Sequence, residues 1–308
     1  MQFASTAKQA TAILYDSDFG RNIDSVLALA LLHGFAGKQQ ARVSALTINY
    51  PCLEAAQLCD VVEAFFRKAV TGPAAVYMSA PAIGVPEPHG KPVEAPALVK
   101  ATLAKPWVSN VTNWHDTAAP ENLIRNDLAA QNDGNAVMVM TGAATNLSRL
   151  LALHDTAPLI RAKVKMLVVA GDFAADAAEG KKLLADWPTP VVFCGREIGD
   201  ALLFPGKSIE ADFAYAPQHP IVDAYRAYKP MPYDAPTCAL AAMLYAIRPE
   251  DGYFTVGKQG ALATVAAKHD EVIQKFTEMV SAKPVDARPF RKQPPKEEPV
   301  PKDGKSGS

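Results

Sequence analysis

Short apolar runs of four to six residues recur along the chain, and each ends in a polar turn that opens an amphipathic segment. The runs cover residues 12–15, 43–48, 136–140, 166–170 and 190–193, with a weaker one at 74–78. Helical periodicity follows at 23–32, 53–67, 147–153, 177–187, 220–228, 239–247 and 269–282. Gly34 stands where a C-cap glycine would end the first helix. Strands alternating with helices specify an α/β domain: a doubly wound, mainly parallel sheet with helices on both faces. In such sheets ligands bind beyond the carboxyl ends of the strands. The residues to watch therefore follow the apolar runs: Asp16 and Asp18, then Asn49, Thr141 and Asp172.

Composition narrows the partners. The chain has 308 residues, 49% hydrophobic, enough for a large core. A net charge of −1 without a basic stripe argues against a nucleic-acid partner. A mean hydropathy near zero and no apolar run of 18 residues argue against a membrane span. Of the four cysteines, Cys52 and Cys59 are seven apart, too far along a helix to bridge. Cys52, Cys59, Cys194 and Cys238 read as free thiols of a reducing compartment. A cytoplasmic location is expected, a secretory leader removed from the mature chain being the alternative. Residues 81–120 are rich in proline, glycine and histidine and read as an excursion from the core. Residues 283–308 hold six prolines, many charges and little that is apolar. They divide the chain into an α/β domain over 1–282 and a disordered tail over 283–308.

The most informative stretch is Asp16-Ser-Asp-Phe-Gly-Arg-Asn-Ile-Asp24, three carboxylates within nine residues on a strand-to-helix turn. Packed carboxylates raise one another's pKa, and a cation relieves the repulsion. Calcium suits such a site because it accepts several carboxylate and carbonyl oxygens. The helix N-terminus adds N–H donors for sugar hydroxyls. The plainer alternative is that these aspartates cap the turn and the helix.

This stretch resembles the signature Asp-Thr-Asp-x-Gly-x-Asp-Ile-Asp-Asp of the inosine-uridine-preferring nucleoside hydrolases, in their bacterial branch. Met140-Thr-Gly-Ala-Ala-Thr-Asn-Leu147 resembles that family's Thr-Gly-x-Leu-Thr-Asn-Leu turn. Trp187-Pro-Thr-Pro-Val-Val-Phe193 resembles a later strand, and Met231-Pro-Tyr-Asp-Ala-Pro-Thr237, with residues 244–254, the C-terminal helix region. The likeness extends over residues 11–284. It implies hydrolysis of the N-glycosidic bond of ribonucleosides, with calcium holding the ribose hydroxyls and an attacking water, through an oxocarbenium-like transition state. By position, Asp18 matches the metal ligand and general base, and Asp16 the carboxylate two residues earlier. Asp24 matches a ribose contact, Asn49 a site asparagine, and Thr141 the residue whose backbone carbonyl binds the metal. Homodimers or homotetramers are the assemblies the resemblance suggests.

The departures fall on the chemistry. The second aspartate of the helix-start pair, a major calcium ligand in the family, is Ser25, and Asn22 is neutral. The later metal aspartate falls on Ala239, preceded by Cys238, which leaves Asp234 as a candidate substitute. After residue 170 the chain runs straight towards a helix, so the ribose-holding loop is missing and Asp172 alone remains there as a substrate contact. The 252–269 region is shorter than in the branch. Two readings follow. One is a copy with weakened or lost catalysis that binds a ribonucleoside or related sugar, or a partner such as an active paralogue. The other is an active calcium-dependent N-ribosyl hydrolase with a rearranged shell using Asp234 and Asp172. The first is favoured, because catalysis needs the metal and ribose contacts together. No histidine pair has metal-ligand spacing, and Cys238 has no base beside it in sequence.

Overall fold

The computed structural model describes residues 10–67, 82–88, 93–171 and 178–284. Six strands form one parallel sheet: β1 (Thr11–Ser17), β2 (Ala41–Ile48), β3 (Ile83–Gly84), β4 (Ala136–Thr141), β5 (Val164–Ala170) and β6 (Val191–Cys194). Their order is β3-β2-β1-β4-β5-β6. The chain reverses direction across the sheet between β1 and β4, and that switch point opens a crevice at the strands' carboxyl ends.

Both faces of the sheet are covered, and alternate residues of each strand serve different cores. Ile13, Tyr15, Val137, Val139 and Val168 belong to the larger apolar cluster, with α1 (Ile23–Gly37), α2 (Leu53–Arg67), α11 (Cys238–Ile247) and α12 (His269–Val280). Leu14, Met138, Met140, Leu167 and Val169 point the other way, against α4 (Pro120–Ala130), α5 (Thr145–Ala152), α6 (Thr156–Lys163) and α7 (Ala178–Asp186). The remaining helices are α3 (Ala97–Leu103), α8 (Arg196–Ala201), α9 (Gly206–Ala211) and α10 (Pro220–Tyr228). A hairpin, β7 (Phe254–Val256) with β8 (Leu262–Thr264), precedes α12. Among the described residues no helix is long and apolar enough to cross a membrane.

α1 shows how the packing dictates sequence. Every residue from 23 to 32 is buried, because the helix is enclosed by the sheet on one side and by α11 and α12 on the other. That enclosure corrects the reading of Gly34: the helix runs on to Gly37, and Gly34 lies inside it. A Cβ there would lie 2.2 Å from the Met279 carbonyl oxygen, so the glycine is the point where α12 crosses α1 in backbone contact. The excursion expected over 81–120 carries β3, α3 and a 3-10 turn, Trp114–Asp116, and β3 supplies the sheet's edge. The strand expected at 74–78 and the tail from 285 onward lie outside the described residues.

Candidate functional site

The crevice is built first from backbone. Asp18 N–H donates to the Thr141 carbonyl at 3.0 Å, joining the end of β1 to the end of β4, and Ser17 Oγ lies 2.8 Å from Thr141 Oγ1. Thr141 Oγ1 donates to Asp18 Oδ1 at 3.0 Å. Asn49, just after β2, donates from Nδ2 to the Thr141 carbonyl at 2.6 Å. Gly142 makes the crowding possible: its φ is +92°, and a Cβ would lie 2.6 Å from Asp18 Cβ and 2.9 Å from Asn49 Oδ1. Four sequence candidates therefore meet at one point, since Asp16 lies directly behind. Asp16 Oδ1 accepts from Thr47 Oγ1 at 2.5 Å and Asn146 Nδ2 at 2.8 Å, while its buried Oδ2 has no partner. Burial, only partly offset by these donors, pushes its carboxyl up to about 6. Burial also raises the Asp18 pKa, against the Thr141 hydrogen bond and the charge of Arg21.

The turn into α1 is closed by its own side chains. Asn22 caps the helix, its Oδ1 accepting from Ser25 N–H at 3.0 Å. Ser25 Oγ donates to the Asn22 carbonyl at 2.9 Å and accepts from Gly20 N–H at 3.1 Å. The Ser25 hydroxyl is thus engaged as donor and as acceptor inside the turn, and Ser25 is fully buried. Asp24 reaches across the molecule instead. Its Oδ2 accepts from Ala239 N–H at 2.5 Å and its Oδ1 from Leu240 N–H at 3.0 Å, so it caps the N-terminus of α11. Burial still outweighs these two bonds and pushes its pKa up to about 7.

Between the β1 and α11 sides lies a cavity of ≈ 520 Å³, lined by Asp18, Asp24, Thr141, Gly171, Arg196, Asp200, Tyr228, Cys238 and Ala239 among others. A second cavity of ≈ 290 Å³ also borders Asp18, with Arg21, Asn49, Tyr50 and Gly142 in its wall. The Arg21 guanidinium stands 4.3 Å over the Tyr50 ring. Asp18 is the carboxylate common to both spaces. Asp234 is placed elsewhere: it is exposed, lines neither cavity, and accepts from Gly206 N–H at 2.8 Å at the start of α9. Asp172 lies outside the described residues. His115 and Asp116 are exposed, with Asp116 completing the capping box of the 3-10 turn. Tyr228 is the aromatic side chain that lines the larger cavity among the described residues. Arg196 is not among the residues the sequence points to, although it follows the end of β6 as Asp18 follows β1 and Asn49 follows β2.

A calcium ion asks for roughly six to eight oxygens. Both carboxylate oxygens of Asp24 are bound to α11, Ser25 Oγ is bound to the turn, and the Thr141 carbonyl already accepts two N–H donors. Residue 239 brings no oxygen but its backbone. Among the described residues, no group of three or more His, Cys, Asp or Glu side chains is placed to hold a metal. As arranged, the described donors do not make a calcium shell.

No protein-family model matches the chain, and no curated protein sequence matches it. Solved structures do. The effector protein XOO4466 superposes with a TM-score of 0.66 at 12% identity, over 91% of this chain and 95% of its own. The inosine-uridine preferring nucleoside hydrolase from Bacillus anthracis gives 0.58 at 12%, over 88% and 99%. The type III effector protein XopQ, complexed with adenosine diphosphate ribose, gives 0.62 at 11%, over 90% and 95%. Taken with the six-stranded parallel sheet and its switch point at Asp18, these superpositions establish that the chain has the α/β fold of the nucleoside hydrolases.

Proposed function

We propose that this nucleoside hydrolase-like protein binds a ribosyl compound in the cavity at Asp18, with calcium-dependent hydrolysis weakened or lost. One observation carries the reading: the oxygens that would surround a metal are consumed by internal hydrogen bonds, Asp24 on α11, Ser25 in its turn and Thr141 on Asp18 and Asn49. A site that keeps its shape while spending its ligands on capping retains binding more readily than turnover. Asp18 is the anchor. It borders both cavities and is raised in pKa by burial, so it suits a hydrogen bond to a sugar hydroxyl. Arg196 in the larger cavity and Arg21 in the smaller offer guanidinium donors to the phosphates of a phosphate-bearing ribosyl ligand, among walls that also carry Asp24, Asp200 and Glu179. The adenosine diphosphate ribose bound by XopQ has that chemistry. An active paralogue or a second copy of the chain is the partner expected for a non-catalytic subunit.

The second reading, an active N-ribosyl hydrolase, is favoured by the position of Asp18. A half-buried carboxylate with a raised pKa, set at the switch point, is what a general base for water requires. Calorimetry with inosine, uridine and adenosine diphosphate ribose, paired with hydrolysis assays on the same sample, separates the two. Binding of the diphosphate ligand without turnover, lost in Asp18→Asn, is the expected result. Turnover of inosine or uridine that Asp18→Asn abolishes would establish the hydrolase instead.

A further inference from the structure

The fold brings together two thiols that lie 44 positions apart in the chain. Cys194 ends β6 and Cys238 begins α11. Cys238 Sγ donates to the Cys194 carbonyl at 2.9 Å, and Cys194 Sγ donates to the Cys238 carbonyl at 3.3 Å. A disulfide needs Cα atoms within roughly 4.4–6.8 Å. Sulfurs that each reach the other residue's carbonyl set the two side chains next to one another, and a change of χ1 is the movement the bond would require.

The surroundings hold this pairing fixed. Gly171 N–H donates to the Cys194 carbonyl at 2.9 Å, and Thr237 N–H to the Gly199 carbonyl at 3.1 Å. Gly199 is in backbone contact with the start of α11, since a Cβ there would lie 2.7 Å from Cys238 N. The two sulfurs are not equally reachable. Cys194 is fully buried, whereas Cys238 is half-buried and lines the ≈ 520 Å³ cavity. Only a small oxidant entering that cavity meets Cys238, with Cys194 behind it. The Cys194 thiol is raised well above its ordinary pKa, first by its hydrogen bond with Cys238 and then by burial, which makes it the poorer first nucleophile.

We propose that Cys194 and Cys238 form a peroxide-responsive dithiol in the wall of the cavity. The Cys238 thiolate attacks one oxygen of hydrogen peroxide, forming a sulfenic acid and releasing hydroxide, which takes up the proton the thiol lost and leaves as water. The Cys194 sulfur then attacks the sulfenic sulfur, the S–O bond breaks, and the hydroxyl leaves with the Cys194 proton as a second water. Two thiols and one peroxide give one disulfide and two waters. This proposal is independent of which ligand fills the cavity.

The test uses the reduced full chain, treated with stoichiometric hydrogen peroxide, alkylated and digested without reductant. The expected product is one cross-linked peptide joining residues 194 and 238, lighter by two hydrogens and reopened by dithiothreitol. Cys52 and Cys59, which are also buried, serve as internal controls and stay alkylatable after unfolding. In Cys194→Ala the Cys238 sulfenic acid should persist and be trapped by dimedone, as it is not in the native chain. Separate alkylation of Cys194 and Cys238 after peroxide, or Cys238 driven to sulfinic acid while Cys194 stays reduced, would overturn the proposal. If Cys194→Ala fails to fold, the peptide masses of the native chain decide alone.

Discussion

The β1–α1 turn and the start of α11 face each other across the larger cavity, but they obey different constraints. On the first side Asp16, Asp18, Asn49, Thr141 and Gly142 interlock through bonds that tie three strand ends together. On the second, Cys238 offers a thiol and Ala239 only backbone, and the amides of Ala239 and Leu240 are satisfied by Asp24 from the opposite side. The first wall keeps its polar residues because the sheet needs them to close its switch point. The second needs no carboxylate of its own, because a helix N-terminus accepts any nearby anion.

The contrast sharpens under mutation, and the largest effect should come from the interlocked wall. Gly142→Ala places a Cβ 2.6 Å from Asp18 Cβ at a φ of +92°. Chemical denaturation should show a loss of about 3 kcal/mol from strain and overpacking. A loss below about 1 kcal/mol would mean that the turn relaxes and the interlock is loose.

Asp24→Ala tests the bridge between the walls. It leaves two buried N–H groups of α11 without an acceptor, partly offset by no longer burying a carboxylate, and should cost about 2 kcal/mol. Asp24→Asn gives the finer test, read as a function of pH. Asp24 has a folded pKa of about 7, above its ordinary 3.8. Its contribution is therefore fully present below about pH 4 and is lost as pH rises to about 7. His219 runs the other way: burial lowers it to about 3 from 6.5, so stability is lost as pH falls through that window. Subtracting the Asp24→Asn curve from the native one cancels His219. The difference should fall from pH 4 to 7 and stay level above; a flat difference would mean that Asp24 titrates as an exposed carboxylate.

The smallest effect should come from Asp234. It caps a six-residue helix away from both cavities, so Asp234→Ala should cost about 1 kcal/mol and leave ligand affinity unchanged. A loss of affinity there, measured by calorimetry, would draw the second wall towards the C-terminal loop and restore Asp234 as a site residue.

The same contrast explains what could be read from the sequence. The strands were legible because parallel strands covered on both faces are continuous apolar runs, and the site's location followed because polar residues come directly after them. Asp16, Asp18, Asn49 and Thr141 meet for that reason. What a carboxylate does once placed was not legible. The partners of Asp24 lie 215 and 216 positions away, and the pairing of Cys194 with Cys238 depends on where α11 begins. Gly34 misled because a glycine near a helix end has two explanations, a left-handed cap or a backbone crossing, and only the position of α12 separates them. β3 escaped notice because two residues carry no periodicity.

The most direct test of the proposal that internal capping leaves no calcium shell is a calcium titration of the metal-stripped protein, with the double variant Ser25→Asp/Ala239→Asp beside it. The native chain should release no binding heat at submillimolar calcium and show no shift in its unfolding temperature, whereas the variant, with two added carboxylates, should gain both. Micromolar binding by the native chain would contradict it, and would mean that Asp18 finds its remaining oxygens without Ser25 or Ala239.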